Sequence, residues 1–103
     1  MPQVFKIGSY WVYFWSNENE PLEPIHVHVL HGGKESIFEL VMMNGDLIDI
    51  NIREKKGCDS LTEKEKRTAE AFIRKYHKNI IDKWVKFFVM RQAIRCTNIK
   101  NKI

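Results

Sequence analysis

Pro24-Ile25-His26-Val27-His28-Val29 is the stretch whose reading decides how this chain folds. Successive side chains of a strand point to opposite faces, so Ile25, Val27 and Val29 share one face and His26 and His28 the other. The apolar set reads as the buried side of a half-covered sheet. The two imidazoles then stand on the face away from the core, roughly 7 Å apart by the strand rise per residue.

Outward from that strand, Gly32-Gly33 reads as a turn into Ser36-Ile37-Phe38-Glu39-Leu40. Asn44-Gly45, the strongest short hairpin signal present, turns into a run where Ile48, Ile50 and Ile52 alternate with Asp49, Asn51 and Arg53. That alternation predicts one buried and one wet face. Upstream, residues 16–24 form a polar, acidic loop broken by Asn17, Asn19, Pro21 and Pro24. Before the loop, Val4–Ile7 and the aromatic run Tyr10–Trp15 flank Gly8-Ser9, which predicts a first hairpin.

Residues 53–59 read as a charged connector, after which two overlapping capping boxes, Ser60-x-x-Glu63 and Thr62-x-x-Glu65, predict a helix start. Ala69, Phe72, Ile73, Tyr76, Ile80, Trp84 and Phe87 then recur at helical steps, with no Gly or Pro between. So long a helix in so small a domain favours a bend near 77–79. The expected fold is therefore α+β: a five-stranded, mostly antiparallel meander with one long amphipathic helix, residues 62–88, packed on one face. Residues 1–95 are expected to form one domain and residues 96–103 a frayed tail.

Of 103 residues, 44% are hydrophobic and 29% charged, as in an ordinary single globular domain. No apolar run approaches the ~18 residues of a membrane span, and no signal peptide is visible at the start. Cys58 and Cys96 are too few for a disulfide framework and read as reduced thiols, so the expected location is cytoplasmic. The net charge of +4 conceals a split: residues 1–61 hold five basic and nine acidic groups, residues 62–103 twelve and four. Such asymmetry suits an anionic partner, or attraction between the two halves. Lys86, Arg91 and Arg95, where the helix gives way to the tail, are the candidate partner or nucleic-acid contacts.

A His-x-His pair on a strand fits three roles. It can hydrogen-bond on a polar face, supply acid and base near neutrality, or give two ligands to a transition metal. In the acid–base reading His26 and His28 act on RNA and Lys34 stabilises the developing phosphorane charge. In the metal reading, His31, Glu23, Glu35 or Glu39 would have to complete the site, and no metal motif fixes one. No cofactor is otherwise implied. His31, one step out of phase, is expected to face water, as is His77 among Arg74, Lys75 and Lys78. Trp11, Trp15 and Trp84 are expected in the core.

The opening Met1-Pro2, Phe5-Lys6-Ile7-Gly8 and Tyr10, then Phe14-Trp15-Ser16-Asn17, Glu23-Pro24-Ile25-His26-Val27-His28-Val29, and Trp84 with Phe87-Phe88 resemble the domain of unknown function 4160 family of small bacterial and archaeal proteins. Ile25 stands where the family usually has a second proline, and Ser9 where it commonly has glycine. The resemblance implies one half of a two-gene, toxin–antitoxin-like cassette beside a second small protein. The leading functional expectation is thus a non-catalytic interaction module for that neighbour, with RNA or DNA as a further ligand. A ribonuclease or metal-dependent hydrolase using His26 and His28 is the alternative.

Overall fold

The computed structural model describes residues 3–14 and 25–99. The acidic loop at 16–24, with Glu23 and Pro24, lies outside the described residues, as do Trp15 and residues 100–103. Strands β1 (Gln3–Ile7), β2 (Tyr10–Tyr13), β3 (His26–His31), β4 (Lys34–Met43) and β5 (Asp46–Glu54) precede helix α1 (Glu63–Trp84), a π-helical turn (Val85–Val89) and β6 (Thr97–Ile99). The sheet order is β5-β4-β3-β2-β1-β6. The first five strands form the expected antiparallel meander. The sheet as a whole is mixed and six-stranded, because Thr97–Ile99 pairs parallel to β1. Part of the stretch expected to fray is therefore a strand.

Local chemistry explains the meander. Both central residues of the Gly32-Gly33 and Asn44-Gly45 turns have positive φ (57° and 78°, 52° and 85°). That is the conformation whose twist suits a two-residue hairpin and that glycine and asparagine tolerate. The Gly32-Gly33 turn sets the register in which His28 opposes Ile37, and on its other side His28 opposes Tyr13 of β2. The same register puts Val12, Val27, Val29, Phe38, Leu40 and Ile50 on one face, all buried. Expected to be buried with them, Ile48 is instead 51% exposed. The register shifts between Val41 and Met42, so Val41 opposes Asp49 but Met42 opposes Leu47. Ile48 is the extra residue of this bulge, and Leu47 takes the inward place.

Of the two capping boxes the second is used. Thr62 is the N-cap, its hydroxyl accepting from Glu65 N–H at 3.2 Å while Glu65 Oε1 accepts from Thr62 N–H at 2.8 Å. Ala69, Phe72, Ile73, Ile80 and Trp84 of α1 are buried against the apolar sheet face. The bend falls at Tyr76 (φ −109°, ψ 18°), one residue before the expected place. After Trp84 the backbone widens, Met90 N–H bonding Val85 C=O at 2.9 Å. With that turn Phe88 becomes fully buried while Phe87 is only half-buried. Lys83 then secures the return of the chain: its ammonium donates to Val4 C=O, Arg95 C=O and Thr97 Oγ1 at 2.7–2.8 Å.

Candidate functional site

The strand pairing assigns faces to the sequence candidates. His28, Tyr13, Glu35 and Glu39 lie on the face turned away from α1, as expected of the His-x-His strand. The burial is not as expected. His26 is 5% and His28 1% exposed, so neither ring is a surface group. The His28 ring stacks on Tyr13 with centroids 5.3 Å apart, and His26 lies 5.8 Å from His28 and 5.3 Å from Trp84.

A buried carboxylate accompanies them. Glu35, 5% exposed, accepts at Oε2 from His28 Nδ1–H at 3.1 Å and from Lys55 Nζ at 2.9 Å. Burial pushes its carboxyl up, but the Tyr13 hydroxyl, Lys55 and His28 outweigh that and hold it below its ordinary value. The result is a tightly knit cluster of Tyr13, His28, Glu35 and Lys55 under little solvent. It fixes the orientation of both aromatic rings, because a carboxylate that accepts on Nδ1–H selects one imidazole tautomer. Glu35 was in view from the sequence as a possible completing ligand, and counting back from the two-residue glycine turn places it opposite Leu30, diagonal to His28. Tyr13 could not be found that way, because its place opposite His28 belongs to the β2–β3 pairing, which no short turn fixes. Lys55 carries no such signal, since its approach depends on how the chain leaves β5.

Lys34 is not part of that cluster. It pairs with His31, and both side chains fall on the helix side of the sheet. There Glu65 Oε1 receives Lys34 Nζ at 3.1 Å and Glu65 Oε2 receives His31 Nδ1–H. In a neutral His31 ring, Nε2 then accepts from the Ser9 hydroxyl at 2.8 Å, and Tyr10 stacks on the ring at 3.9 Å. His31, expected in water, instead ties two hairpin turns to the start of α1. Burial raises the Glu65 carboxyl, but Thr62, His31 and Lys34 bring it down to about 2. His77, half-buried, donates from Nδ1 to Arg74 C=O at 2.7 Å.

The C-terminal candidates remain at the surface. Lys86 pairs with Asp82 at 3.0 Å, while Arg91 and Arg95 are exposed with no carboxylate within 4 Å among the described residues. Val85, Val89 and Met90 beside them are 37%, 57% and 53% exposed. Among the described residues no three His, Cys, Asp or Glu side chains group so as to hold a metal ion. Nor does any described helix have the length and apolarity to cross a membrane.

The fold and these groups define a small α+β protein with one helix on a six-stranded sheet and a buried histidine–carboxylate cluster on the other side. The chain belongs to the family described as Domain of unknown function (DUF4160), whose model matches residues 9–85. No curated protein and no solved structure is similar enough to match.

Proposed function

We propose that this protein is a non-catalytic binding module, one half of a toxin–antitoxin-like pair, whose C-terminal surface receives an acidic partner protein. The observation that carries the reading is the surface of residues 85–95. Val85, Val89 and Met90 are exposed there beside Lys86, Arg91 and Arg95. Exposed Met and Arg next to aliphatic groups is the composition of an interface core with its charged rim. The paired arrangement itself rests on the family resemblance, which implies a two-gene cassette. Burial of His26 and His28 also favours this reading, since their rings offer a substrate little surface. The test is binding between the purified protein and the product of the adjacent gene. R91E/R95E is expected to weaken binding by on the order of 10-fold and to flatten its salt dependence. Absence of binding, or binding indifferent to the charge reversal, would refute the module.

One observation favours a second reading, that of a small ribonuclease: Glu35 orients His28 as a base is oriented, with His26 beside it. This reading requires RNA cleavage by the parent protein, with a bell-shaped pH profile abolished in H26A. A metal-dependent version requires in addition that chelator removes the activity.

A further inference from the structure

Ser9, His31 and Glu65 come from three separate parts of the fold and form one chain of hydrogen bonds. Ser9 lies in the turn between β1 and β2, His31 ends β3, and Glu65 stands in the first turn of α1. The Ser9 hydroxyl donates to His31 Nε2 at 2.8 Å, and His31 Nδ1–H donates to Glu65 Oε2. We infer that Ser9 is an activated nucleophile that takes the acyl group of a small activated ester, with His31 as its base and Glu65 orienting the ring. The inference goes beyond the C-terminal surface and uses none of its residues. That surface binds without chemistry, and acylation at Ser9 is a separate property of the chain.

The atoms stand in the order that nucleophilic catalysis requires. A neutral imidazole has one N–H and one lone pair. Glu65 takes the N–H at Nδ1, so the lone pair falls on Nε2, where the Ser9 proton is. Each carboxylate oxygen has its own partners: Oε1 receives Thr62 N–H at 2.8 Å and Lys34 Nζ at 3.1 Å, which leaves Oε2 to the ring. With its pKa brought down to about 2, Glu65 is ionised at neutral pH and stabilises the imidazolium that forms when His31 takes a proton. Tyr10, stacked on His31 at 3.9 Å, holds the plane of the ring. Ser9 and Gly8 are exposed, and a Cβ built on Gly8 would meet no atom within 4 Å, so an acyl group on the hydroxyl has room. Sites that bind by buried area are concave. A serine on an exposed turn depends instead on the donor's own leaving group, which selects small activated esters. In the step, Ser9 Oγ bonds to the ester carbonyl carbon while His31 Nε2 takes the hydroxyl proton. The bond from that carbon to the leaving oxygen then breaks, and the proton passes from Nε2 to the departing oxygen. The products are acylated Ser9 and an alcohol, with nothing oxidised or reduced.

The full chain is treated with 4-nitrophenyl acetate, the release of 4-nitrophenolate is followed, and acetyl groups are located by peptide mass spectrometry. An acetyl group on Ser9 is expected, with phenolate release faster in the parent protein than in S9A, whose lysines supply the background. If the acetyl ester hydrolyses faster than it accumulates, the release that depends on Ser9 reads the same step. H31Q should slow that release by on the order of 10²-fold, and E65Q should slow it in the same direction. The Ser9-dependent rate of the parent protein should rise with pH as His31 loses its proton, a limb missing in H31Q and one that a merely structural tie would not produce. The charged groups at that ring are Glu65 and, through it, Lys34. Circular dichroism melts confirm that each variant is folded; if H31Q is not, E65Q, which keeps an oxygen for Thr62 N–H, and the pH profile of the parent protein carry the comparison. No acetyl group on Ser9 together with equal release from S9A overturns the inference. So does Ser9-dependent release that is equal in the parent protein, H31Q and E65Q, the behaviour of an ordinary exposed hydroxyl. Either result leaves the binding of the C-terminal surface untouched.

Discussion

At the start of α1 a single carboxylate, Glu65, receives Thr62 N–H, His31 Nδ1–H and Lys34 Nζ. Its pKa of about 2, against an ordinary 4.5, means that the unfolded chain takes up the proton first as pH falls. The stability it contributes is present above the ordinary carboxylate range and is lost as pH drops from about 4.5 toward 2. Urea midpoints at pH 6, 4 and 3 should fall more steeply for the parent protein than for E65Q; parallel curves would mean that Glu65 is not so engaged. Glu35 works in the same direction on the other side of the sheet, its carboxyl also lowered. Removing its partner in H28A leaves a cavity and a buried acceptor with one donor fewer, a loss of about 1–3 kcal/mol. An unchanged melting temperature in H28A would contradict the burial of that ring. The sequence already placed His26 and His28 on the face opposite Val27 and Val29. Their burial was not legible, because strand alternation reports the face of a residue and not what covers it.

Among the elements, the hairpins were legible because Gly32-Gly33 and Asn44-Gly45 are turns with a stereochemical cause, and the α1 start because Thr62 and Glu65 bond each other. Two features escaped for physical reasons. The bulge at Ile48 depends on how β4 and β5 settle against the core, and period-two alternation cannot register one extra residue. Strand β6 has only three residues and no pattern of its own; β1 pairing and the three bonds from Lys83 make it a strand. In K83M, amide exchange at Thr97–Ile99 should therefore accelerate well before that of α1; unchanged protection would show that β6 holds without the clamp. Trp84, at the end of α1, is 4% exposed, edge-on to Phe14 at 5.3 Å and packed on Phe88 at 4.3 Å. W84A should cost roughly 3–5 kcal/mol, read as a lowered denaturant midpoint. A small change would place the indole outside the core.

Over the whole molecule, the acidic first part and basic second part do not simply cancel. Some charges do meet across the fold, as Lys34 with Glu65 and Arg74 with Asp49. Arg91 and Arg95 find no such carboxylate among the described residues and stand beside exposed Val89 and Met90. An unneutralised cationic rim next to apolar area is what a protein partner of opposite charge can use, through faster association and fixed register. The most direct measurement is isothermal titration of the purified chain with the product of its neighbouring gene, at 50 and 300 mM salt, for the parent protein and R91E/R95E. The account predicts a stoichiometric complex that weakens with salt in the parent protein and, in the double variant, on the order of 10-fold weaker binding with little remaining salt dependence. Equal affinity for both proteins at both salt concentrations, or no complex at all, would contradict it.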